Sequence, residues 1–85
     1  MQVDRLVGQH ADWLDRHYAS GRFVASGRRV PRTGGVILSR GDDLAEIEAI
    51  VAEDPFAREQ VARYDIVQFE LGKISDGIRT LGEPI

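Results

Sequence analysis

A carboxylate placed directly before a proline, at the end of an amphipathic segment, limits how this chain can fold. Counted at about 100° per residue, Asp54 lies within an apolar stripe made of Leu44, Ile47, Ile50 and Val51. A buried carboxylate is costly unless a partner satisfies it. The other titratable side chain comparably placed is His10, which shares a helical face with Leu6, Trp13, Leu14 and His17. We therefore predict that His10 and Asp54 form a pair.

Simpler structural roles remain open for these residues. Pro55 disfavours helical geometry at Asp54 and suits the first position of a new turn, so Asp54 is also a natural N-cap for a helix from Pro55 to Glu59. A histidine on an apolar face is often a core residue with one satisfied nitrogen. His17 lies near a helix C-terminus, where a cationic imidazole complements the helix dipole.

Length and composition predict one small domain, residues 1–85, with a core at about 4–70 and a tail at 71–85. A chain of 85 residues buries a limited fraction of its surface, so support from a second subunit is expected. The sequence has no cysteine, no apolar run of membrane-spanning length and no signal-peptide pattern at its start. We expect a cytoplasmic protein without membrane contacts.

The charges are segregated although the net charge is only −3, from 11 basic and 14 acidic residues. Between Arg16 and Arg40 there is no acid, and this stretch contains Arg22, Arg28, Arg29 and Arg32. Phe23 is the one aromatic residue among these arginines, whereas a stacking surface for nucleic acid requires aromatic residues interleaved with the basic ones, so no nucleic-acid partner is expected. The alternatives are a site for a small anionic ligand and a solvated hairpin with charged flanks.

Periodicity and stop signals predict the order helix, strand, strand, helix, strand. The predicted elements are a helix at 4–18 with Asp4 as N-cap and Gly21 as stop, strands at 22–26 and 35–39, a helix at 44–53 capped by Asp42 or Asp43, a turn after Pro55, and a strand at 62–70. The tail is assigned no regular structure. A hairpin with two helices predicts an α+β sandwich with both helices on one face, leaving the other face for a second copy.

These motifs, in this order, resemble the YciI-related family. The resemblance extends from about Leu6 to Phe69 and rests on His10, Trp13-Leu14, Gly21-Arg22-Phe23, Ser26-Gly27, Gly34-Gly35-Val36-Ile37 and Asp54-Pro55-Phe56. It implies a ferredoxin-like fold that dimerises sheet to sheet into an α+β barrel. It also implies a His and Asp pair in a cleft beside the sheet, at His10 and Asp54, with a serine at Ser26. One branch resembles enzymes that act on chlorinated breakdown products of aromatic rings, so dehydrohalogenation or isomerisation is conceivable.

The chain departs from the family at its start. Members usually begin with an apolar strand, whereas only Met1-Gln2-Val3 precede Asp4 here. In a ferredoxin-like sheet that strand is central, so its absence leaves two rows of backbone groups unpaired. We expect the position to be filled by a tail segment, by another subunit or by residues of a longer chain.

The chemistry expected from this pattern is general acid–base catalysis by His10, with Asp54 holding its tautomer. Ser26 would supply a hydrogen bond, and Arg28, Arg29 or Arg32 would receive a substrate carboxylate. The alternative is a non-catalytic dimer that binds a small ligand or serves as an accessory module. His10 and His17 lie about 10 Å apart along a helix, too far to share one ion, so no metal is expected. No other cofactor is expected either.

Overall fold

A computed structural model of the chain describes residues 2–77, with side chains from Asp4 onward. Its elements in chain order are α1 (Gln2–Ala19), β1 (Phe23–Arg28), β2 (Gly35–Ser39), α2 (Leu44–Ala52) and α3 (Pro55–Arg58). The strands pair antiparallel as a hairpin, α1 packs against β1, and α3 packs against both α1 and α2. This arrangement of helices around a two-stranded antiparallel sheet is a small α+β fold.

The first helix ends where the sequence predicts. Gly21 has φ of 82°, and the amides of Gly21 and Arg22 donate to the carbonyls of Tyr18 and His17, which closes the helix with a Schellman motif. Its start differs from the prediction, because α1 begins at Gln2 and Asp4 lies inside the first turn. Asp4 therefore complements the helix dipole and does not cap the helix.

The hairpin follows the predicted strands, with β1 extended to Arg28. Phe23 pairs with Ser39 and Arg28 with Gly35, and a bulge lies between Phe23 and Ala25. Gly34 has a φ of 147°, a backbone conformation that residues with a side chain rarely adopt. Its carbonyl accepts a hydrogen bond from the Arg29 amide at 2.9 Å. This hydrogen bond closes the loop that joins the two strands.

Two aspartates begin the next two helices. Asp43 caps α2 by accepting the Ala45 amide at 3.0 Å, and Asp54 caps α3 by accepting the Phe56 amide at 3.1 Å. Asp54 keeps an extended ψ of 125°, as the following proline favours. Both predicted caps are confirmed.

The predicted strand at 62–70 is wrong for the described chain, since these residues form no regular secondary structure and pair with no strand. After α3, Gln60 adopts φ of 60°, and the amides of Val61 and Ala62 return to the Phe56 carbonyl. This turn carries Tyr64 back to Asp54, where its hydroxyl bonds to a side chain. Within residues 2–77 the sheet has two strands, and none fills the position of a strand before α1.

The core is small and centres on Trp13. Trp13 is fully buried, Leu6 and Phe23 are 5% and 6% exposed, and the rings of Trp13 and Phe23 meet edge to face at 5.2 Å. Large apolar side chains remain exposed on the hairpin and after α3, namely Val30, Val36, Leu38, Val61, Ile66, Val67, Phe69 and Leu71. No helix of the described residues is long and apolar enough to cross a membrane. Of the predicted tail, residues 78–85 lie outside the described residues.

Candidate functional site

Asp54 is a fully buried carboxylate whose oxygens both accept hydrogen bonds. Oδ1 accepts the backbone amide of Phe56 and lies 2.8 Å from His10 Nδ1. Oδ2 accepts the Tyr64 hydroxyl at 2.5 Å. Three donors from three parts of the chain thus compensate the cost of burying this group, and one of them is the capping bond. The capping role and the contact with His10 therefore coexist.

His10 lies in the middle of α1 with its two ring nitrogens in different surroundings. An ionised carboxylate only accepts hydrogen bonds, so Nδ1 carries the proton shared with Asp54, and the neutral ring has its lone pair on Nε2. Nε2 makes no hydrogen bond within residues 2–77, and the side chain is 22% exposed. The ring stacks on that of Phe56, with 4.3 Å between the ring centroids and 12° between the ring planes. Protein groups thus contact the ring at Nδ1 and on one face, while Nε2 has no hydrogen-bond partner among the described residues.

Tyr64 is a site residue that the sequence analysis missed. Partial burial raises the pKa of its phenol well above the ordinary value of 10.0, and the hydrogen bond to Asp54 and the negative charge of that carboxylate raise it further. The phenol is therefore a neutral donor across the physiological range. A tyrosine ten residues after the caged carboxylate was the available signal, but the alternating pattern around it favoured a strand.

A second histidine contact lies farther along α1. His17 Nε2 lies 3.0 Å from Glu53 Oε1, and between the two histidines Trp13 Nε1 donates to the Ile50 carbonyl at 3.1 Å. These contacts attach α1 to the end of α2. The prediction for His17 named only the helix dipole, whereas the structure adds a carboxylate partner. No group of three metal-ligating side chains occurs among the described residues.

The other predicted site residues do not gather around His10. The Ser26 hydroxyl lies 2.5 Å from the Tyr18 hydroxyl, and Tyr18 is eight residues from His10, about 12 Å along the axis of α1. Arg28, Arg29 and Arg32 are exposed at the far end of the hairpin. Within residues 2–77 no hydrogen bond or ion pair joins these four side chains to His10 or Asp54.

Two open depressions on the described surface also lie elsewhere. One, of about 350 Å³, is lined by Ala57 and residues 60–63, and the other, of about 230 Å³, by residues 25–28 with Val36 and Leu38. The second depression lies on the hairpin and includes Ser26 and Arg28. Ser26 and Arg28, two of the residues predicted to bind a substrate, therefore line a depression that does not include His10.

The sequence pattern of the YCII-related domain matches residues 1–70, so the chain belongs to the YCII-related family. The match includes α1, the hairpin, both caps and Tyr64. Neither the curated proteins nor the solved structures contain a significant match. Family membership agrees with the resemblance stated from the motifs.

Proposed function

We propose that the protein is a small-molecule enzyme in which His10 acts as general acid and base. The proposal rests on the different surroundings of the two nitrogens of the His10 ring. A buried carboxylate binds Nδ1, whereas Nε2 has no hydrogen-bond partner among the described residues. This arrangement fixes the tautomer and leaves Nε2 as the basic nitrogen of the neutral ring. An unperturbed imidazole titrates at about pH 6.5, so it can both accept and return a proton near neutrality.

In the proposed reaction Nε2 removes a proton from a carbon beside a carbonyl or carboxylate. The C–H electron pair then either forms a double bond as a leaving group departs with its own bonding pair, or shifts so that the imidazolium returns the proton elsewhere. The first course is an elimination, such as loss of hydrogen chloride, and the second an isomerisation. During either step Asp54 stabilises the imidazolium through Nδ1.

A small anionic substrate suits the basic stretch of the hairpin. Arg28, Arg29 and Arg32 carry three positive charges with no acid nearby in sequence, and a guanidinium binds a carboxylate through two parallel hydrogen bonds. Because these side chains lie away from His10 in one chain, the proposal includes a homodimer. In it, a second copy would cover the apolar side chains of the hairpin and complete the cleft.

One observation favours a second candidate function, a non-catalytic module that binds a small ligand or supports another protein. Phe56 covers one face of the His10 ring, and neither of the two depressions described above is lined by His10. Under this alternative the contact between His10 and Asp54 serves stability alone. A ligand would then bind without being converted.

Turnover of a defined panel separates the two functions. The purified protein is incubated with chlorinated and unchlorinated unsaturated carboxylic acids and lactones, and products are followed by proton NMR and chloride release. We expect conversion of at least one compound, reduced about 10²- to 10⁴-fold in His10→Gln because the general acid–base group is lost. Glu53→Gln is the matched control, since it alters the partner of His17 and leaves His10 in place.

Light scattering on the same samples gives the oligomeric state. Conversion that survives in His10→Gln would overturn the proposed mechanism. Saturable binding without conversion of any compound would favour the non-catalytic module. A mass of 9.5 kDa, that of one subunit, would remove the dimer from the proposal.

A further inference from the structure

We propose that Tyr64 is a positioning residue. It shares the Asp54 carboxylate with His10 and thereby sets how strongly His10 holds a proton. The inference rests on the proposed function for its consequence in catalysis. Its structural basis is the contact of Tyr64 with the carboxylate oxygen that His10 does not use.

The first argument concerns orientation. A carboxylate can rotate about its last side-chain bond unless both oxygens are held. In Asp54 the Phe56 amide and His10 hold Oδ1, and Tyr64 alone among the described residues holds Oδ2. Without the phenol hydroxyl, only the contacts at Oδ1 oppose rotation of the carboxylate. Tyr64 is thus placed to keep Oδ1 directed at Nδ1.

The second argument concerns charge. A short hydrogen bond from a neutral phenol withdraws negative charge from a carboxylate, which weakens its attraction for a neighbouring cation. Asp54 is fully buried, so water screens this competition poorly. With Tyr64 in place the imidazolium is stabilised less than by an unshared carboxylate. His10 can then release its proton more readily.

The titratable groups around the pair are few. Asp54 comes from the N-cap of α3 and Tyr64 from the segment that follows it, while α2 contributes Glu53, which contacts His17. His17 lies seven residues from His10, about 10 Å along α1. Tyr64 also packs edge to face against Trp13 at 6.3 Å, so its ring has a fixed position beside the core. The competition for Asp54 therefore involves one phenol and one imidazole.

The test compares the NMR titration of His10 in the wild type and in Tyr64→Phe, with His10→Gln used to assign the resonances of the two histidines. We expect the midpoint of His10 to rise by about 0.5 pH unit in Tyr64→Phe, because the carboxylate charge is no longer shared. Tyr18→Phe is the matched control, since it removes the other tyrosine hydroxyl, which contacts Ser26. It should leave the midpoint unchanged.

A second readout uses alkaline stability. In the wild type the folded phenol keeps its proton above the pH at which the unfolded one loses it, so its contribution to stability is complete below about pH 10 and falls at higher pH. Tyr64→Phe should lack this part of the decline, whereas Tyr18→Phe should retain it. An unchanged or lowered His10 midpoint in Tyr64→Phe would overturn the proposal. Both readouts need no substrate, so a failed search for turnover leaves this test intact.

Discussion

Replacing Trp13 by alanine is expected to destabilise the domain by about 4 kcal/mol, because it removes the largest buried side chain and leaves a cavity between α1 and the hairpin. Small domains are stable by only about 5–15 kcal/mol, so the variant should be close to unfolding. The chain has one tryptophan, so urea unfolding is followed by far-ultraviolet circular dichroism and not by fluorescence.

Trp13→Phe is the control for this substitution. Phenylalanine keeps most of the buried aromatic surface but loses the hydrogen bond from Nε1 to the Ile50 carbonyl. We expect its cost to be about 1–2 kcal/mol. A cost below about 1 kcal/mol for Trp13→Ala would contradict a core centred on this residue.

Replacing Asp54 by alanine should destabilise the protein by about 3 kcal/mol, clearly more than an ordinary cap. About 1 kcal/mol comes from the cap of α3, and about 2 kcal/mol comes from leaving His10 and Tyr64 without their shared acceptor. Asp43→Ala is a close control, because Asp43 caps α2 through the same kind of bond but is exposed.

We expect Asp43→Ala to lower the free energy of unfolding by about 1 kcal/mol. Urea unfolding of both variants in the same buffer measures the two losses. Equal losses for the two alanine variants would mean that Asp54 acts as a cap alone. A larger loss for Asp54→Ala supports the three-donor arrangement, whatever the catalytic role of His10.

Local signals were sufficient for the helices and for their ends other than the start of α1. Gly21 supplies the positive φ that ends α1. Pro55 disfavours helical geometry at Asp54, so Asp54 is placed as the N-cap of α3. The contact between His10 and Asp54 was also accessible from sequence, because both interrupt apolar stripes and a buried charge requires a partner. These inferences need only helical geometry and the cost of desolvation.

The remainder depends on long-range contacts. Residues 62–70 have the alternation of a strand, yet a strand needs a neighbouring edge, and Tyr64 instead donates to Asp54. The arginines of the hairpin were grouped with His10 by charge, but sequence spacing does not determine where the far end of a hairpin lies. Whether a second copy brings those arginines to His10 stays a prediction.

The NMR titration of His10 in Asp54→Asn shows whether Asp54 acts on His10 as a buried anion. Asparagine caps helices about as well as aspartate, so the fold should persist while the negative charge is removed. We expect the His10 midpoint to fall in Asp54→Asn, because the anion that favours the imidazolium is removed. An unchanged midpoint would leave Asp54 only its capping role and would contradict the proposed acid–base site.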